Sequence, residues 1–300
     1  MSGWTLLRGV AAGAAGRLAY AALTKRPPGG EKTWTRTNHR GEPVTLLEGP
    51  AVAVAAAASA VAVPGLAWSE RLAMAMAGLG AGAVGCYDDL AGGGDRRGFG
   101  GHLGALAQGE VTTGAVKIIG VGAVGLAAAA LLDRSRGSAG AAGRMADLGI
   151  NAALVAGAAN LTNLFDLRPG RAIKVSLLVG AALAATGSQA RAGVAAPVGA
   201  AVALLPEDLG ERAMLGDAGA NALGAMVGVT TAAALPRWAR LVALAGIVGL
   251  TAASEKVSFT KVIARTPALN RLDMLGRRPA PVPTASGRAQ PPEGGVPSEK

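Results

Sequence analysis

At 300 residues, with 51% hydrophobic and only 16% charged, the chain is too apolar for an ordinary soluble enzyme, where about a quarter of residues carry charge. Its net charge of +10 would point to nucleic acid in a soluble protein. In so apolar a chain it points instead to membrane orientation and to anionic lipid or phosphate ligands. A single cysteine, Cys86, excludes an intramolecular disulfide framework, and two histidines, His39 and His102, are too few and too scattered for a zinc site.

In chain order, the first apolar segment (Trp4 to Leu23) lacks a clear signal-peptide cleavage pattern and is followed by more such segments, so it reads as a first span. Uncharged stretches follow at Ala51 to Ser69, Ile118 to Leu132, Ala218 to Pro236 and Leu241 to Ser254. Each approaches the roughly 17–25 residues that a helix needs to cross a bilayer. Helices are expected near 3–24, 50–68, 71–87, 114–132, 146–165, 172–187, 191–206, 218–235 and 238–253. Small residues at helical spacing, Gly78/Gly82 and Ala81/Gly85, suit close helix packing. The fold class is therefore all-α, a polytopic membrane bundle of about nine to ten transmembrane helices.

Positive charge is unevenly shared between alternate loops. One set, 25–49, 88–113, 166–171, 207–217 and the segment from 254, holds Lys25, Arg26, Lys32, Arg36, Arg40, Arg96, Arg97, Arg168, Arg171 and Arg212, and the C-terminal segment adds more. The opposite set holds few. The positive-inside rule makes the first set cytoplasmic and leaves the N-terminus outside. The tail from Pro279 is rich in Pro, Gly and Ser and is expected to be disordered. Residues 1–260 read as the membrane domain and 261–300 as a cytoplasmic tail.

That topology puts every conspicuous polar cluster on one face. "AVGCYDDLAGGGD" ends an apolar run in the adjacent carboxylates Asp88 and Asp89, which repel unless a cation balances them; a solvated helix end is the plain alternative. In "NLTNLFD", Asn160, Asn163 and Asp166 fall on one broad helix face, suited to a polar ligand or to hydrogen bonds between spans. Asp217 in "MLGDAGANALGA" lies between glycines at a helix start, as either an N-cap or an approachable metal ligand. Lys117 and Lys174 sit about a turn inside helix starts, where lysines snorkel or meet phosphate.

The order of these clusters is more specific than any one of them. The segments "TNHRGEPVTLLEG" (37–49), "GCYDDL" (85–90), "NLTNLFD" (160–166) and "MLGDAGANALG" (214–224) together resemble the polyprenyl-phosphate N-acetylhexosamine-1-phosphate transferase family. This is the group that includes phospho-N-acetylmuramoyl-pentapeptide transferase and the UDP-N-acetylglucosamine:undecaprenyl-phosphate transferases. The resemblance covers about residues 1–260. It implies a Mg²⁺-dependent enzyme of the inner membrane, acting on the cytoplasmic side in cell-envelope glycan synthesis. A polyprenyl phosphate would attack the sugar-proximal phosphorus of a UDP-sugar and release UMP. By the same resemblance Asp217 is the metal ligand, Asp88 the base or positioning group with Asp89 assisting, and Lys117 a phosphate-neutralising group. Asn160, Asn163, Asp166, Arg168, Arg171 and Lys174 would serve the nucleotide-sugar.

The implied partners are thus a UDP-sugar, a lipid phosphate and the membrane, with a homodimer compatible and no nucleic acid. The chain departs from the family at Pro169, where a second Asp commonly stands, and in lacking a His-rich motif near its end. These departures separate it from the pentapeptide enzyme and make it similar to divergent members. A binding partner without catalysis and a transporter are the competing readings; carboxylates gathered at span ends, not at the midplane, disfavour transport.

Overall fold

A computed structural model describes residues 3–91, 112–133 and 140–279, together with residues 104, 108 and 109. His102, the Arg96/Arg97 pair, Arg134, Arg136 and the Pro-rich tail from 280 lie outside the described residues. Among the described residues the chain is all-α apart from one small hairpin. Its helices are α1 (Gly3–Lys25), α2 (Glu31–Trp34), α3 (Glu48–Ala62), α4 (Trp68–Ala91), α5 (Thr113–Asp133) and α6 (Ala141–Phe165). There follow α7 (Arg171–Thr186), α8 (Ser188–Leu209), α9 (Gly216–Ala234), α10 (Arg237–Ser254), α11 (Phe259–Arg265) and α12 (Pro267–Met274).

A helix occupies each of the nine positions expected from the sequence, but among the described residues three are long and apolar enough to cross a membrane: α5, α6 and α8. A fourth span is possible if α10 and α11 are counted together, although they meet at a 95° bend. The others fall short for local reasons. α3 has 15 residues, which rise about 22 Å against a hydrocarbon core of about 30 Å. α1 carries Arg8, Arg17 and Lys25, and α9 carries Asp217 and Asn221.

α9 is the axis of the bundle and is buried along nearly its whole length. Its neighbours approach closely because glycines line the contacts. Gly78 of α4 faces Met226, Gly82 faces Ala222, and Gly85 lies against the backbone of Asp217 and Ala218. On the other side Gly224 and Gly228 receive the backbone of α6 at Ala158 and Val155. The Gly78–Gly82–Gly85 stripe visible in the sequence is therefore the face that meets α9.

At one end of the bundle a fully buried Arg8 ties three elements together. Its guanidinium donates to the carbonyls of Ala192 (2.9 Å), Val63 (2.7 Å) and Pro64 (2.8 Å). At the opposite end, residues expected to form an irregular basic loop instead make an antiparallel hairpin, β1 (Thr35–Thr37) with β2 (Pro43–Thr45), in register Arg36 opposite Val44. Its turn is shaped by Asn38, whose side-chain oxygen accepts from the N–H groups of Arg40 and Glu42, and by Gly41 at φ 81°. The Met214 N–H donates to the Thr45 carbonyl, docking the hairpin on the segment that leads into α9.

Candidate active site

Four helix ends meet beside the hairpin: the C-termini of α4 and α6 and the N-termini of α5 and α9. A helix N-terminus leaves backbone N–H groups without intrahelical partners and carries partial positive charge. At α9 no side chain of its own caps them. Asp89 does so from α4: its Oδ1 accepts from the Asp217 N–H (3.0 Å) and its Oδ2 from the Ala218 N–H (2.9 Å). Gly216 is required here twice over. Its φ is 62°, and a Cβ would lie 3.0 Å from the Asp89 carboxylate. Arg36 of the hairpin donates to the Asp89 carbonyl (2.6 Å), which locks the end of α4 to β1.

Asp88 is turned the other way. Its Oδ2 lies 3.2 Å from Lys117 Nζ, and the same ammonium is paired with Asp217 Oδ2. Two carboxylates from helices about 130 residues apart thus converge on one positive charge. Among the described residues no group of three or more His, Cys, Asp and Glu side chains is arranged as a metal site. A convergent pair is nonetheless the donor set Mg²⁺ uses when substrate phosphates and waters complete its shell. The Lys117 ammonium stands where such a cation would be held.

Asp166 follows the last turn of α6 and accepts a hydrogen bond from the Gly216 N–H. Burial, then the charges of Asp208, Asp217 and Asp89, push its carboxyl well above the ordinary range, against that hydrogen bond.

Two cavities open from this region. The larger, about 530 Å³, runs between α5, α6 and α10. Lys117, Asn160, Asn221 and Glu255 line it at the carboxylate end, and Val121, Ala153, Leu244 and Ile247 farther along. The smaller, about 250 Å³, lies under the hairpin and is lined by Asn38, His39, Asp166, Arg168, Asp208 and Glu211 together with Val44, Leu167, Pro169 and Met214. Glu211 holds it together from a left-handed backbone (φ 56°), accepting from Asn38 (2.9 Å) and Arg40 (2.8 Å). Burial pushes the His39 imidazole down, with Glu211 opposing.

The expected site residues therefore divide. Asp88, Lys117 and Asp217 are brought into one cluster, and Asp89 is beside them but committed to capping α9. Asn160 lines the large cavity, Asp166 and Arg168 line the small one, and Asn163 lines neither.

Arg171 and Lys174 are placed elsewhere. Arg171 grips Asp273 of α12 through Nε (2.7 Å) and Nη2 (3.1 Å) and reaches Thr260 of α11 (2.9 Å). Lys174 donates to the Asp273 carbonyl (2.6 Å) and Arg277 to the Asp273 carboxylate (2.8 Å). Phe165 stacks on Phe259 with ring centroids 5.0 Å apart. These two basic residues anchor the C-terminal segment, because Asp273 supplies the carboxylate partner that a phosphate was expected to supply. Burial alone would raise the Asp273 carboxyl, but the Arg171 hydrogen bonds and the charges of Arg171, Arg277 and Lys174 outweigh it and hold it below the ordinary range.

Sequence reasoning missed Glu48, Asp208, Glu211 and Asp273. Glu48 is fully buried and, among the described residues, neither carboxylate oxygen has a hydrogen-bond partner. A lone acid opening the apolar run "EGPAVAVAAAASA" was the available signal. No protein-family model and no curated protein matches the chain.

Proposed function

We propose that the chain is a membrane-embedded glycosyl-1-phosphate transferase that moves a sugar-1-phosphate from a UDP-sugar to a polyprenyl phosphate and releases UMP. One observation carries this reading. Carboxylates from α4 and α9 converge on Lys117 of α5, and Lys117 itself lines a largely apolar cavity of about 530 Å³. A lipid phosphate needs that combination: an apolar trough for its chain and compensated charge at its head. The order of the four sequence segments supports the choice of chemistry, the three long apolar helices are compatible with a membrane protein, and the bias of positive charge supports a site on the cytoplasmic side of the inner membrane.

In this reading the lipid phosphate enters along the large cavity with its head beside Lys117. The nucleotide-sugar comes from the hairpin side, where Asp166, Arg168 and Asn38 face the small cavity. Asp217 would hold a Mg²⁺ ion, which when bound would supply charge to offset the repulsion between two phosphate-bearing substrates. Asp88 orients the lipid phosphate and takes the proton of its monoanion. A lipid-phosphate oxygen then forms a bond to the sugar-proximal phosphorus, and the bond from that phosphorus to the oxygen bridging to UMP breaks. UMP leaves with that oxygen, and a polyprenyl-diphospho-sugar stays in the bilayer. Lys117, which faces the cavity, neutralises phosphate oxygens as charge develops.

Purified protein given Mg²⁺, polyprenyl phosphate and a panel of UDP-sugars should release UMP with at least one of them. Asp217→Asn should abolish the release. Undiminished release by Asp217→Asn would overturn the assignment. Tight binding of substrates without turnover would select a non-catalytic partner in envelope assembly.

A further inference from the structure

Glu48 and Ser176 have buried side-chain oxygens without a partner among the described residues, but other buried polar groups around α9 are paired. Asn151 of α6 is 1% exposed and accepts from Arg240 (2.6 Å). Thr230 and Thr231 of α9 return their hydroxyls to the carbonyls of Met226 and Val227. Asn221, on the same helix, is different. It is fully buried, and among the described residues both its amide oxygen and its amide nitrogen are without a partner. A buried donor and acceptor left unmade are costly, and leucine of nearly the same shape would avoid that cost.

The position of this amide gives it a use. Asn221 is four residues after Asp217 and so lies on the same face of α9, one turn deeper. It forms part of the lining of the large cavity, with Lys117 of α5 and Asn160 of α6. Glu255 and Thr251 also line it, and the rest of that lining is dominated by Val121, Ala153, Leu244, Ile247 and Val248. The cavity is thus graded along the helix axes, polar at the carboxylate end and apolar beyond, which is the shape of a long-chain amphiphile with one compact head. A phosphomonoester head accepts from the Asn221 and Asn160 NH₂ groups and from Lys117, and its monoanion donates its O–H to the Asn221 oxygen.

We propose that Asn221 is a specificity-determining residue that reads the head group of a long-chain phosphomonoester lying in this cavity. The choice of a polyprenyl phosphate as occupant rests on the transferase reading; the orphaned amide does not.

The test uses the full chain in detergent without any UDP-sugar and compares wild type with Asn221→Leu. Polyprenyl phosphate, the matching polyprenol and inorganic phosphate are the probes, and thermal unfolding and lipid binding are the readouts. Removing the orphaned amide should leave the thermal midpoint without lipid unchanged or higher. It should weaken polyprenyl-phosphate binding at least about ten-fold, the loss of one hydrogen bond to a charged group, and leave polyprenol binding almost unaffected. A lower midpoint with lipid-phosphate binding intact would show a structural role and overturn the proposal. So would wild-type protein binding polyprenol as tightly as the phosphate, or inorganic phosphate giving the full stabilisation.

Should Asn221→Leu fail to fold, wild-type protein can be photolabelled with a polyprenyl phosphate carrying a diazirine next to the head. Label in residues 218–224 supports the assignment, and label confined to other segments refutes it. Head-group discrimination without UMP release under any condition would sink the transferase reading and leave this inference standing.

Discussion

Replacing Asp89 by alanine removes both acceptors from the N-terminus of α9. The two N–H groups involved, of Asp217 and Ala218, sit at 3.0 and 2.9 Å from the carboxylate, and Ala218 is buried. Loss of a helix cap alone costs about 0.5–2 kcal/mol. Hydrogen bonds to a charged group contribute roughly 1.5–3 kcal/mol each. These overlap, so the expected loss is about 3 kcal/mol for Asp89→Ala, and about half of that for Asp89→Asn, which keeps one acceptor. At the scale of roughly 2–4 °C per kcal/mol, Asp89→Ala should lower the thermal midpoint in detergent by about 6–12 °C. Asp88→Ala is the control. It leaves Lys117 paired with Asp217 and should shift the midpoint by no more than about 3 °C, although both variants lose UMP release. Equal midpoints for Asp89→Ala and Asp88→Ala would refute the division of labour between the two adjacent carboxylates.

Breaking the C-terminal clamp by Asp273→Ala leaves the 5%-exposed Arg171 without its carboxylate. That should cost about 3–5 kcal/mol and speed protease cleavage of residues 259–279. The same group sets an acid limb. Its folded carboxyl titrates below the ordinary range, so its stabilisation is complete above the unfolded value of about 4 and is lost as pH falls through the lower folded value. Asp273→Asn should therefore flatten the stability profile below about pH 4, measured by thermal unfolding against pH. Lys117→Met removes the positive charge between Asp88 and Asp217 and should tighten Mn²⁺ binding, read by titration calorimetry without substrates, by about ten-fold. Unchanged Mn²⁺ affinity would show that the pair is no cation seat. Gly224→Ala puts a Cβ 2.6 Å from Thr162 Oγ1 and closer still to the Ala158 carbonyl. It should force α6 and α9 apart at a cost of about 1–3 kcal/mol, seen as a lowered thermal midpoint.

Helix positions were legible because apolar runs and their breaks are properties of the local sequence. Their membrane-crossing lengths were less so: α3 is cut to 15 residues by the Val63–Pro64–Gly65 exit, and after the charged Glu255–Lys256 pair the chain turns by 95° from α10 into α11, an angle composition does not give. That Asp88, Asp166 and Asp217 lie at one end of the bundle was anticipated from shared helix ends; that Asp88 and Asp217 both pair with Lys117 was not. Asp89 looks identical to Asp88 in sequence, yet a rotation of about 100° per helical residue aims it at α9 and not at Lys117. Arg171 and Lys174 were read as phosphate ligands because their partner, Asp273, is about 100 residues away and in a segment taken for a tail. Asn221 and Glu48 were passed over because a missing partner cannot be seen without the neighbours. The hairpin escaped notice because three-residue strands give too little alternation to register.

The transferase account is tested most directly by mass spectrometry of lipids from membranes overproducing the chain, with and without Asp217→Asn. The account predicts a polyprenyl-diphospho-sugar that accumulates with the wild type and is absent with the variant. Identical lipid profiles from the two, with both proteins folded and present at equal levels, would contradict it.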